Sequence, residues 1–329
     1  MQLKLADSKS SLLPLLWIAP FFLWGTAMVA MKSVLPDTTP LFVAGVRLVP
    51  AGVLVLAAAA FLRKPQPTSW QGWLWIGLFA LVDGTLFQGF LAEGLDRTGA
   101  GLGSVLIDSQ PIIVALLSWW LYQEKIGLWG WIGLGLGLLG ISAIGLPEEW
   151  ILAPLSGNMS GNSTAYDVGI LFQGGEWLML LASFSMAVGT VMMPKVSQYV
   201  DPIVATGWHM ILGGLPLFVL SGIWESDRWV NIDSWGWGAL IYSTIFGSAI
   251  AYGLFFYFAS KGNLIELSSL TFMTPVFALL FGNLFLSEML TPLQWIGASI
   301  AMLGIWAIEK SNPSEGIETK DLDEGSVDL

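Results

Sequence analysis

Four ionisable side chains, Arg47, Asp83, Asp108 and His209, stand inside long apolar runs. An ionisable group at membrane depth is expensive to hold there, so each is kept by a partner or by a task. Arg47 can bind a substrate carboxylate, or pair with an acid whose protonation drives transport; equally, it can be a permanent ion-pair partner that holds two helices together. Asp83 and Asp108 are the acids in question, and a buried carboxylate can exchange a proton as coupling to a proton gradient requires. Asp108 is preferred over Asp83 as the functional acid. It lies three residues before Pro111, whose missing backbone donor leaves the carbonyl of Ile107 without its helical partner. Irregular backbone of that kind is tolerated where it lines a cavity.

His209, the only histidine, suits a proton relay or a plain interhelical hydrogen bond. Gln88 and Tyr252 can offer neutral hydrogen bonds in a cavity. Trp24 and Phe87 can stack on or gate a ligand, or simply pack against a neighbour. Glu266 is a weaker candidate with Lys261 as its expected partner, and Asn283 another. Zero cysteines exclude thiolate chemistry and cysteine metal sites, and no Walker or metal-binding pattern is present, so no cofactor and no metal are expected. Gly135-Leu-Gly137-Leu-Leu-Gly140 matches a dinucleotide fingerprint, but it lies in an apolar run without the strand that motif needs.

These residues are positioned by an unusual chain. Of 329 residues, 55% are hydrophobic and 11% charged, against about 25% charged in a soluble domain; mean hydropathy is +0.70. A water-facing surface cannot be built from this composition. The net charge of −11 argues against nucleic acid, and much of it belongs to the acidic tail beyond Ile308. The composition predicts an all-α integral membrane protein. Ten apolar stretches of about 20 residues are long enough to cross a bilayer: 12–35, 40–62, 70–91, 100–121, 127–146, 174–193, 202–223, 234–258, 264–286 and 292–308. With the N-terminus inside, nine Lys and Arg fall on the cytoplasmic side and three outside, which predicts cytoplasmic termini.

A shift of 164 residues maps the chain onto itself. It carries Pro111 to Pro275, Glu124 to Glu288, Trp131-Ile-Gly133 to Trp295-Ile-Gly297, Leu139-Gly-Ile141 to Leu303-Gly-Ile305, and Gln88 to Tyr252. A local shift of 162 carries Arg47 to His209. The predicted organisation is a cytoplasmic N-terminus (1–11), a first five-helix repeat (12–146), an external linker (147–168), a second five-helix repeat (169–310) and an acidic cytoplasmic tail (311–329). Five spans per copy is an odd number, so the second copy enters the membrane from the opposite side. Inverted repeats of this kind are typical of secondary transporters. In this reading Pro111 and Pro275 break their helices, and Glu124 and Glu288 are helix-end anchors or gates.

At these residues the chain resembles the drug/metabolite transporter superfamily, in particular its EamA-type ten-helix members. The marks are Trp24-Gly25, Arg47 in the second span, and a Pro-to-Glu helix followed by a Trp-Ile-Gly helix in each half. Arg97-Thr-Gly-Ala-Gly-Leu-Gly-Ser104 and Ile107-Asp-Ser-Gln-Pro111 resemble the cyanobacterial and plastid branch. The resemblance implies a central cavity between the repeats and export or exchange of a small organic metabolite, an amino acid or drug-like compound. Expected partners are that small molecule, membrane lipids and protons as a coupling ion, in a monomer or homodimer of the inner cell membrane. Two other readings stay open from the residues alone: an intramembrane enzyme acting on a lipid or peptide, and a non-transporting scaffold.

Overall fold

The computed structural model describes residues 13–97, 106–146, 175–286 and 291–311. The N-terminal segment 1–11, the linker 147–168, Glu288 and all of the tail but Ser311 lie outside the described residues. The described chain folds into α1 (Leu13–Val34), α2 (Pro40–Phe61), α3 (Trp70–Arg97), α4 (Gln110–Tyr122) and α5 (Leu128–Gly145). It continues as α6 (Glu176–Val196), α7 (Pro202–Trp224) and α8 (Ser234–Ala259). Then come α9, which runs as Leu264–Ser269, a 3-10 turn at Leu270–Phe272 and Met273–Leu286, and α10 (Pro292–Ser311). Seven of these helices, α1 to α3 and α6 to α9, are long and apolar enough to cross a membrane, and α4 and α5 are shorter apolar helices.

Two helix ends differ from the sequence expectation. α3 runs to Arg97 instead of ending near Leu91, because its polar last turn is braced by an ion pair four residues apart, Arg97 Nη2 to Glu93 Oε2 at 2.5 Å. The regular part of α4 begins only at Gln110, since Asp108 and Ser109 form a turn ahead of Pro111. The 3-10 turn at Leu270–Phe272 breaks α9 just ahead of Pro275.

Two glycine seams hold the bundle together. Along α5 and α10, a methyl on Gly133 would lie 2.5 Å from the carbonyl of Gly304, and one on Gly140 would lie 2.7 Å from that of Gly297. Rising numbers on α5 meet falling numbers on α10, so the two helices run antiparallel. The 164 shift turns each of these contacts into the other. Along α2 and α7, Gly45 packs on Phe218 and Gly207 on Leu56, and here the 162 shift exchanges the two. Absent side chains let the backbones approach, which is how helices gain contact where lipid supplies no hydrophobic drive.

α3 and α8 share a further peculiarity: each is π-helical in its middle, over Ala80–Phe87 and Ser243–Ile250. Such widened turns concentrate at functional sites, and the one in α3 carries Asp83 and Phe87.

Glu225, beyond the end of α7, caps the start of α2. Its carboxylate accepts from the backbone N–H of Leu41 at 2.8 Å and of Phe42 at 3.0 Å, and from the Thr39 hydroxyl at 2.8 Å. This satisfies donors that a helix N-terminus otherwise leaves open and places an anion at the positive end of its dipole. Glu225→Ala is expected to cost about 1–2 kcal/mol, read as a lowered melting temperature in detergent with the helix content retained.

Candidate functional site

Between α1, α2, α3, α6, α8, α9 and the turn ahead of α4 lies a cavity of about 70 Å³. Trp24, Met28 and Met31 of α1, Arg47 of α2, Phe87 of α3, Asp108, Met186 of α6, Tyr252 of α8 and Thr271 and Thr274 of α9 line it. Leu91 and Leu95, which also line it, sit near the C-terminal end of α3.

Arg47 is 7% exposed. One guanidinium nitrogen contacts the Met31 thioether and another donates weakly to Gln88 Oε1 at 3.4 Å, while Nε has no partner. Gln88 in turn donates from Nε2 to Tyr252 Oη at 2.8 Å, so the two residues exchanged by the 164 shift are bonded to each other. Asp108 is 4% exposed and its Oδ2 is unpartnered. Among the described residues no ion pair joins it to Arg47. Trp24 Nε1 and Thr274 Oγ1 are likewise buried without partners.

Buried polar atoms are nearly always satisfied, so four orphans on one cavity mark a place built to hold something polar. Two cationic or N–H donors, Arg47 and Trp24, offer a seat for an anionic oxygen. The Asp108 carboxylate offers one for an ammonium or another donor. Aromatic rings and thioethers supply the rest of the wall, the usual make-up of a small-molecule site.

Asp83 and His209 are brought together, but away from this cavity. Their exposures are 1% and 2%, and His209 Nε2 lies 3.1 Å from Asp83 Oδ2. His209 Nδ1 faces the carbonyl of Thr206 at 2.7 Å. Phe79 and Phe256 cover the imidazole, at ring-centroid distances of 4.1 and 5.4 Å.

The remaining candidates occupy the periphery. Pro111 lies in the first turn of α4 and Pro275 in that of α9's main segment. Glu124, just past α4, faces the backbone N–H groups of Leu264 and Ile265 at the start of α9. Burial raises its pKa above the ordinary glutamate value, and those two donors pull the other way. Lys261 does not serve Glu266: among the described residues no ion pair joins them. The Lys261 ammonium lies 5.2 Å from the Tyr257 ring centre, and Glu266 feels the like charge of Glu309.

Sequence reasoning passed over Thr271, Thr274 and a second buried bridge. Gln110, fully buried, donates to Thr190 Oγ1 at 3.3 Å and accepts from Thr271 Oγ1 at 3.5 Å, joining α4, α6 and α9. The signal was present, since the 164 shift that pairs Gln88 with Tyr252 also pairs Gln110 with Thr274.

Comparison with known proteins places this site in context. The model of the EamA-like transporter family matches residues 12–146 and 173–309. An uncharacterized transporter of Synechocystis sp. is 64% identical over 298 residues, 89% of this chain and 88% of that one. A chloroplastic WAT1-related protein of Arabidopsis thaliana is 50% identical over 296 residues, 88% of this chain and 68% of that one. The protein PecM of Dickeya dadantii is 30% identical over 281 residues, covering 83% and 84%. A solved crystal structure shares the fold at TM-score 0.71 and 16% identity, covering 89% of this chain and 94% of that one. These names point to transport and not to catalysis, and the two most similar of these relatives come from a cyanobacterium and a plastid. With apolar helices around a polar cavity, and a family match over both halves, the chain belongs to the EamA-like transporter family and is a multi-pass membrane protein.

Proposed function

We propose that this chain is a secondary transporter that carries a small zwitterionic metabolite, of the amino-acid class, out of the cytoplasm by alternating access. The single observation that carries this reading is the pair of charged groups, Arg47 and Asp108, on one buried cavity, each with a polar atom left unpartnered. A molecule with a carboxylate and an ammonium would satisfy both, and a charged hydrogen bond is worth about 1.5–3 kcal/mol.

The duplicated architecture supports the same reading. His209 and Asp83 correspond, by the 162 and 164 shifts, to Arg47 and Gly247, and both of the latter line the cavity. The second copy therefore sets a cation against a position with no carboxylate. A substrate carboxylate near Gly247 takes the place that Asp83 holds in the other copy. The antiparallel seams α2–α7 and α5–α10 support ten spans arranged as inverted five-helix halves, 12–146 and 169–310, about a pseudo-two-fold axis. Positive charge favours cytoplasmic termini in the cell membrane, which sets Leu91 and Leu95 at the external side of the cavity. Sites for small molecules commonly enclose about 300–1,000 Å³, so a cavity of about 70 Å³ must widen on binding, as a site between two moving halves does.

The test is a thermal-shift screen of the detergent-purified chain against three sets of compounds: α-amino acids, the corresponding amines and the corresponding carboxylic acids. A ligand at 100 times its Kd stabilises by about 2.7 kcal/mol, so a cognate amino acid raises the melting temperature while its amine and its acid do not. Equal shifts from the acid alone, or no shift from any α-amino acid, would contradict the zwitterion reading.

A further inference from the structure

We infer that Asp83 and His209 hold one proton between them, and that this proton clasps α3 of the first half to α7 of the second. The clasp is the site at which transport senses protons, a step that rests on the transporter reading above; the shared proton itself does not.

A backbone carbonyl can only accept, so His209 Nδ1, at 2.7 Å from Thr206 O, must carry a hydrogen. In a neutral imidazole the other nitrogen is then a bare acceptor. That nitrogen, Nε2, lies 3.1 Å from Asp83 Oδ2, and an ionised carboxylate is also a pure acceptor. Two lone pairs do not hold one another at this distance. The contact exists only with a hydrogen between them, as imidazolium and carboxylate or as neutral imidazole and carboxylic acid. Either way the pair carries one proton and no net charge. When the Nε2–H or Oδ2–H bond breaks and the proton passes to water, the pair becomes a net anion, and α3 and α7 lose their attraction at this point.

The surroundings give that loss a mechanical meaning. On α6, Gly189 backs Asp83 so closely that a methyl there would lie 2.6 Å from Oδ1, and Oδ1 itself has no partner. Asp83 therefore has no second hydrogen bond to fall back on. Gly84, beside it, meets Gly213 of α7 backbone to backbone, so the clasp sits where the two halves pack tightly. The charged and titratable groups on the other packed elements are Tyr252 of α8, which feels the charges of both Asp83 and Arg47, and Arg47 of α2. α6 presents no titratable group here, and the aromatic faces of Phe79 and Phe256 shield the ring. Gln88 bonds both Arg47 and Tyr252, and Tyr252 feels the charge of Asp83, so the substrate site and the proton site are linked electrostatically through Tyr252.

Because the chain has a single histidine and no cysteine, both halves of the inference can be read without a substrate. The full chain, labelled with ¹⁵N-histidine in lipid nanodiscs, is titrated by NMR. A nitroxide pair on Glu93→Cys in α3 and Leu220→Cys in α7 reports the spacing of the two helices over the same pH range. Nδ1 is expected to stay protonated throughout, and loss of the shared proton at rising pH should coincide with a longer or broadened α3–α7 distance. Asp83→Asn is the control, because its amide can donate to Nε2 without a proton from solution. In that variant the distance should be independent of pH, since the amide can donate to Nε2 or accept from it. An unprotonated Nδ1, or a distance in the unsubstituted clasp that ignores pH, would overturn the inference. So would a pH dependence of the distance that persists in Asp83→Asn. Ligand binding in the thermal-shift screen is scored separately, so a failed clasp and a failed transporter reading give different results.

Discussion

Arg47→Ala is expected to weaken binding of the carboxylate-bearing substrate by roughly 10- to 100-fold while leaving the bundle folded. The first part follows from losing a charged hydrogen bond of about 1.5–3 kcal/mol, at about 1.4 kcal/mol per tenfold. The second follows from how little Arg47 does for the fold: one contact to a thioether, one bond of 3.4 Å to Gln88, and a buried Nε with no partner. A structural cation would be tied to an acid, and its removal would strand that acid at a cost of about 3–5 kcal/mol. Calorimetric titration with the ligand found by the screen, beside a melting curve, separates the two cases. A loss of melting temperature without a loss of affinity would assign Arg47 to the scaffold. Arg47→Lys should recover only part of the affinity, because an ammonium keeps the charge but not the planar fork.

The largest effect on stability is expected from Gly140→Val. A Cβ there would lie 2.4 Å from Ala301 N and 2.7 Å from Gly297 O. Both are backbone atoms of α10, so no change of rotamer relieves the clash, and the helices must separate along the seam. The cost is about 3 kcal/mol or more, the upper end for overpacking, read as loss of the monodisperse peak in detergent size-exclusion chromatography. Gly135 is the internal control. It lies in the same helix with nothing within 4 Å of its added Cβ, so Gly135→Ala should be neutral or slightly stabilising.

Much of this was legible in the sequence because the bilayer leaves a chain few options. Every backbone polar group in lipid must be satisfied internally, so long apolar runs become helices. The rare charges within those runs are conspicuous for the same reason. The repeat register also carried information that only packing could translate: the shift turns the Gly133–Gly304 contact into Gly297–Gly140, and Gln88 is bonded to its own counterpart Tyr252. What stayed hidden depends on partners distant in the chain. Asp83 and Asp108 look alike as acids in apolar runs, yet one meets His209 and the other faces a cavity. The π-helical stretches arise where Gly84 and Gly247 are pressed by Gly213 and Ala27, which no local propensity encodes. Glu225 reads as a loop acid, and its task of capping α2 appears only when residues 184 positions apart meet.

The central claim is that this chain moves a zwitterion through the Arg47–Asp108 cavity, and counterflow in proteoliposomes tests it most directly. Vesicles holding the full chain are loaded with the unlabelled amino acid identified by the screen and diluted into buffer with a trace of the radiolabelled form. Label should accumulate transiently above its equilibrium level in these vesicles. It should not do so in vesicles carrying Arg47→Ala, assayed at a tracer level well below the weakened affinity. Label that enters the loaded vesicles no faster than protein-free ones would contradict the account.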